Sequence, residues 1–382
     1  MKKNLFMTAA AIAALLTGCS TDEEIANIET SAKNAIGFNI VSNKAETKAT
    51  PINPTNITDT DFDVFAFNSE TGDLFMGNKQ GTDGIQIKHN NTSWVYATPS
   101  ELAYWPTHNL DFYAINPSTE SFEQGTHGYF SYNIASSQQT ISYNTTDEFS
   151  STTNNFKNID IMYAVTKNQE KSKNNGVVQL NFKHILSQVL FNAKVQYSTM
   201  KVTIKSMSIK CFYHSGTFTF PTDGSEPTKN NWTFNNLQHT SGGSGYTVKM
   251  NDGANIIVSS ATEKQWITAE TNPMLFIPQT LTAWETSAND PKTKVNADDN
   301  NHSYLVIECE IEQNEATVHD GALYIPFGAE WQPGKRYTYT LIFGGGYDDQ
   351  GKPILTPITF EPTVEPWRDA SGYTEQIPAY TN

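Results

Sequence analysis

Cysteine is nearly absent, with three residues in a chain of 382. That excludes a disulfide-framed scaffold, and Cys211 and Cys309, isolated from each other, lack the paired ligand spacing of a zinc site. Basic side chains are also in the minority, 25 Lys and Arg against 40 Asp and Glu, for a formal net charge of −15. Nucleic-acid phosphates would be repelled, and no basic stripe offsets the repulsion. Beyond the first 18 residues no segment reaches the ~18 consecutive apolar positions of a membrane helix. The eight histidines are scattered, and His184, between Phe182 and Ile185, reads as a hydrogen-bonded structural residue, not a base. Glycine-rich stretches at 241–245 and 344–346 lack the strand-turn-helix setting of a phosphate loop and read as turns. Asp298-Asp299 and Asp348-Asp349 lack the spaced ligands of a calcium loop. The expectation is a protein with no cofactor, no metal and no catalytic residue. A glycosidase would need two carboxylates meeting in three dimensions, and no pair is singled out.

What is present is aromatic and strand-like. Phe, Trp and Tyr make up 12% of the chain, set among many Asn, Thr and Ser, a composition closer to an extracellular β-protein than to a cytosolic enzyme. The length suits two domains. Short apolar-aromatic runs recur at 63–67, 85–88, 94–97, 110–115, 129–134 and 159–165, separated by Gly, Asn, Asp, Ser and Pro clusters. A polar, apolar-free stretch at 167–176 reads as a linker. After it, Val178, Leu180 and Phe182 alternate, and further strands are expected at 182–194, 202–212, 217–220, 256–258, 274–278, 304–311, 323–327, 337–343 and 358–364. Residues 221–253 and 283–303 read as loops. Strands of this length and spacing indicate β-sandwiches. Cys211 shares its expected strand face with Met207 and Ile209, and Cys309 with Leu305, Ile307 and Ile311, so both are expected as buried free thiols. The aromatic residues Trp94, Tyr104, Trp105, Trp232, Trp266, Trp284, Trp331 and Trp367 could stack on sugar rings, although most Trp in a sandwich are core.

The N-terminus reads differently. Lys2 and Lys3 precede a thirteen-residue apolar stretch, 5–17, which as a helix would rise about 20 Å, short of the ~30 Å hydrocarbon core. Residues 1–18 therefore read as a signal peptide ending in Leu16-Thr17-Gly18-Cys19, a lipobox in which the Cys19 thiol is acylated. Several acyl chains give stable anchoring at about 0.8 kcal/mol per buried CH₂. Residues 19–34 read as a lipid-proximal tether, opening with an acidic run at 22–24. Next, Ile36, Phe38 and Ile40 alternate with Gly37 and Asn39, a half-buried strand. It leads into a polar, Pro-bounded loop, 42–56, holding Lys44 and Lys48. Read from the residues alone, that segment is an edge strand that stays in place, although its removal would uncover an apolar groove with unpaired edges that a strand of another chain could complete.

Several separated phrases together resemble one family. Tyr104-Trp105-Pro106 followed by Leu110-Asp111-Phe112-Tyr113-Ala114-Ile115-Asn116-Pro117 is similar to the N-terminal half of the fimbrillin family (FimA/Mfa-like), surface lipoproteins of Bacteroides-type bacteria. Phe182-Lys183-His184-Ile185-Leu186-Ser187-Gln188-Val189, Met274-Leu275-Phe276-Ile277-Pro278-Gln279 and Trp331-Gln332-Pro333-Gly334-Lys335-Arg336-Tyr337 resemble its C-terminal half. The resemblance implies an all-β chain of two transthyretin-like β-sandwich domains in series, 35–170 and 171–382. It implies a non-enzymatic subunit of surface fimbriae (pili) in cell adhesion, lipidated at Cys19 and held at the outer membrane. It also implies cleavage after a basic residue, here between Lys48 and Ala49, where the family more usually shows Arg. The strand carrying Ile36, Phe38 and Ile40 would then be displaced by a strand of another fimbrial subunit. An uncleaved chain would be an anchor or a standalone lipoprotein, and the alternative function is a non-polymerising adhesin or glycan-binding module that meets a host protein or glycan.

Overall fold

The computed structural model describes residues 34–40, 60–118, 130–145, 160–234, 246–248, 250, 255–270, 273–284, 302–347, 353–355 and 358–366. Among them run 27 strands and three short 3-10 turns, so the all-β expectation holds.

A central antiparallel sheet organises the first half. Its order is Lys183–His184, Met162–Gln169, Leu110–Asn116, Phe62–Asn68, Ile85–His89 and Trp94–Tyr96, with Leu74–Met76 branching from Phe62–Asn68. Phe62–Asn68 has six of its seven residues buried. A strand so continuously buried must be covered on both faces. Phe65, Phe67, Tyr113, Ile115 and Tyr163 face a second sheet, ordered Trp232–Phe234, Ser215–Thr219, Gln139–Asn144 and Phe130–Ile134. Its aromatic and aliphatic side chains, among them Tyr132, Ile141, Phe218 and Trp232, complete that core. Phe62, Val64, Ala66, Phe112 and Ala114 point the other way, onto Ile36, Phe38, Val178 and Leu180. The one acid on the strand, Asp63, is buried and accepts a hydrogen bond from the Tyr132 hydroxyl at 2.7 Å.

The second half is a sandwich of two sheets. Ser187–Val195 pairs in parallel with Lys335–Phe343, which pairs antiparallel with Thr359–Pro366. The facing sheet centres on Met200–Lys210, Tyr304–Gln313 and Ala316–Pro326. Period-two alternation places Val189, Phe191 and Ala193 opposite Val202, Ile204, Ile307 and Ile311 in one large core.

The boundary expected at 170/171 is crossed by hydrogen bonding. Val177–Leu180 pairs with Gly37–Ile40, Lys183–His184 with Met162–Gln169, and Ser215–Thr219 with Gln139–Asn144. The polar stretch read as a linker is a strand end and a tight reversal. Asn174, Asn175 and Gly176 all take left-handed backbone angles, φ 48°, 55° and 79°, in a 3-10 turn that delivers Val177–Leu180 back to the first half. Polarity there marks a solvated turn rather than a domain joint. The halves also share a strand. Met274–Phe276 pairs with Ser187–Val195 and sends Met274 and Phe276 into the large core, while Leu275 and Ile277 enter the first.

Candidate functional site

The first described strand, Gly37–Ile40, lies outside the large sheets and, among the described residues, pairs with Val177–Leu180 alone, in parallel and over four residues. Just before it, Ala35 forms an antiparallel bridge to Tyr104. There the Ile36 N–H donates to the Ala103 carbonyl and the Trp105 N–H donates to the Asn34 carbonyl, both at 2.9 Å. The segment thus closes a slot between residues 103–105 and 177–180, over the central sheet.

Side chains do most of the holding. Ile36 and Phe38 are buried, and Ile40, half-buried, packs against Met162, as Phe182 does. The alternation read from the sequence therefore faces the core as expected. The Phe38 ring lies among three others, Tyr96 at 5.9 Å, Phe112 at 6.0 Å and Phe62 at 6.3 Å between centroids. The Phe62 and Phe112 contacts are edge-to-face, the arrangement that the ring quadrupole favours. Each fully buried side chain of this size contributes about 1.5–3 kcal/mol. The Tyr96 hydroxyl donates to the Ile36 carbonyl at 3.1 Å, and burial pushes this phenol well above its ordinary range, so it stays a donor. Behind the slot, the Trp105 indole N–H donates to the Gly176 carbonyl at 3.0 Å, and the Thr166 hydroxyl donates to the Gln179 carbonyl at 2.9 Å. On the outer side, Asn39 Nδ2 donates to Gln179 Oε1 at 3.0 Å.

Other sequence-derived candidates separate. Cys19, Lys48 and Ala49 lie outside the described residues, as do Lys44, Trp367, Asp298, Asp299, Asp348 and Asp349. No disulfide joins Cys211 and Cys309, and both are buried. They are buried free thiols as expected, but only Cys309 lies on the strand face expected of it. Cys309 sits in the large core, where burial, with Glu308 adding to it, pushes its thiol up to about 12. Cys211 ends its strand in a left-handed conformation, φ 61°, which turns the side chain out of the Met207 and Ile209 face to Trp284 and Tyr304. His184 Nδ1 meets the buried Asp160 carboxylate at 3.0 and 3.1 Å, the structural pairing expected of it. Trp232, Trp284 and Trp331 are core residues, which removes them from sugar stacking. Among the described residues, no group of three or more His, Cys, Asp and Glu could hold a metal ion, and no helix is long and apolar enough to cross a membrane. Sequence reading missed Tyr96 and the 103–105 edge as parts of the slot, because local alternation does not reveal which strands meet.

Comparison with known proteins agrees with this architecture. A fimbrillin-like family model matches residues 47–367, so the first strand precedes the matched residues. The chain is 25% identical over 401 aligned residues to the fimbrium subunit Fim1C of Phocaeicola vulgatus, covering 97% of each. The crystal structure of a fimbrial protein from Bacteroides vulgatus superposes with a TM-score of 0.57 at 17% identity, over 87% of this chain and 99% of that one. With the family model spanning most of its length, the chain belongs to the fimbrillin-like family.

Proposed function

We propose that this chain is a structural or accessory subunit of surface fimbriae that acts in adhesion by shape and assembly, not catalysis. The observation that carries the reading is the first strand. It fills an apolar slot with Ile36, Phe38 and Ile40, while its backbone is held, among the described residues, by a four-residue ladder, one bridge and the Tyr96 hydroxyl. Removal would leave the Val177–Leu180 edge unpaired and the slot open, a template for β-augmentation by another subunit. In this reading Cys19 carries the lipid that holds the precursor at the outer membrane. Cleavage between Lys48 and Ala49 frees the strand, and a neighbouring fimbrial subunit replaces it. While the chain is intact the tethered strand protects the slot through its high effective concentration.

The test replaces Lys44 and Lys48 by Ala in the full chain. The expected result is a folded, lipidated monomer without multimer ladders on mild-detergent gels, whereas trypsin-treated wild type forms heat-labile multimers. Normal ladders from the double variant would overturn processing at this site. Cys19→Ala should abolish acyl labelling and move the protein out of the membrane fraction; unchanged labelling would overturn the lipid assignment.

A further inference from the structure

The slot discriminates by more than hydrophobicity. The inward residues of its occupant, Ile36, Phe38 and Ile40, read the same in either direction, so apolar spacing alone would accept a strand running either way. The outward residues break that symmetry. Gly37 stands in register with Val177, and a Cβ added there would lie 3.4 Å from Val177 Cγ2. Asn39 stands in register with Gln179 and donates an amide hydrogen bond to it at 3.0 Å. A reversed occupant would set the polar asparagine side chain against the apolar Val177 and glycine opposite Gln179, losing the amide pair. The ends add direction, since the Ile36 N–H meets the Ala103 carbonyl while its own carbonyl meets the Tyr96 hydroxyl. On the inward side, the three rings around Phe38 form a cage that an aliphatic side chain would fill only in part.

Resting on the strand-exchange reading above, we propose that this slot selects its incoming partner by direction and by one aromatic ring. The partner is an extended segment of another subunit with the order aliphatic, small, aromatic, amide, aliphatic, entering parallel to Val177–Leu180. Its aromatic side chain takes the Phe38 position, and its amide residue meets Gln179.

The experiment uses the full chain with a site-specific protease sequence placed within 42–56, nicked and verified by intact mass. Fluorescent peptides of the 34–41 sequence are added in four forms: native, Phe38→Ala, Phe38→Leu, and native with the order of 36–40 reversed. Uptake is followed by anisotropy and size exclusion. Native peptide should displace the nicked strand. The Ala and reversed peptides should bind at least tenfold more weakly, and the Leu peptide several-fold more weakly. Gln179→Leu in the protein should narrow the gap between native and reversed peptides, an effect that general loosening of the slot would not produce. Equal uptake of all four peptides would overturn the selection proposed here while leaving strand exchange intact. Failure of the native peptide to enter a verified nicked chain would overturn the exchange reading, and this proposal with it.

Discussion

The first and last described strands are fastened in opposite ways. Gly37–Ile40 has four parallel partners and inserts Phe38 beneath it, with Ile36 just before the strand doing the same. Thr359–Pro366 has eight antiparallel partners along Lys335–Phe343, yet Glu361, Pro362 and Thr363 lie exposed. The short parallel ladder is supplemented by buried side chains, whereas the longer ladder has the more stable geometry and runs past three exposed side chains. The prolines at 362 and 366 lack an N–H and suit an edge position. The difference teaches where the proposed exchange would meet least resistance. Apolar side chains can be traded for equivalent ones from another chain, whereas an eight-residue ladder must be broken bond by bond.

The largest test of this contrast is Phe38→Ala. Emptying the three-ring cage should cost about 3–5 kcal/mol. The loss should be local, with amide hydrogen exchange at 35–40 rising steeply and that of Thr359–Pro366 unchanged. Equal loosening of both strands would break the comparison. Ile358→Ala, just before the last strand and buried in the large core, should cost about 2–5 kcal/mol. Here the urea midpoint of the whole chain should fall, while local opening at 35–40 under native conditions is no faster than in wild type.

Gly176→Ala sharpens the point at a distance. The φ of 79° disfavours any side chain, and the new Cβ would lie 3.0 Å from Trp105 Nε1. A cost of about 1–2 kcal/mol is expected, read as faster exchange at 35–40 without change in the second sandwich. The smallest effect concerns pH. Burial acts to raise the Asp111 pKa, but the Asn168 N–H, the Ser69 hydroxyl and Lys167 together outweigh it and hold the carboxyl below its ordinary range. Because the folded value is depressed, this stabilisation is complete above the unfolded pKa of about 3.9. It is lost as pH falls through the folded value. The pair is partly solvated, so less than about 1 kcal/mol is at stake. Asp111→Asn should lower stability at pH 6, and the difference from wild type should shrink below about pH 4 in urea titrations.

The inward set at 36, 38 and 40 was legible in the sequence because alternation in a short strand has a period of two. The run at 63–67 was legible as a strand for a related reason, since both of its faces are apolar. Neighbours were not legible. Nothing local shows that Gly37–Ile40 pairs with Val177–Leu180, and the intervening 167–176, polar because it turns in solvent, pointed to a domain joint instead. Gln139–Asn144 escaped notice because its inward residues include Gln139, whose side chain caps the backbone carbonyls at 135 and 136. Trp232 lay within a stretch read as loop, 221–253, because glycines and polar residues surround a strand of only three residues.

Met274–Phe276 has a mechanical consequence. Its alternate side chains, continued by Ile277, are embedded in two different cores, so it works as a rivet through both halves. Traction that separated the halves would have to strip Leu275 and Ile277 from one core, or Met274 and Phe276 from the other. A subunit pulled from its ends should therefore resist as one load-bearing body, with the two cores yielding together in a force-extension trace, not as beads giving way in turn.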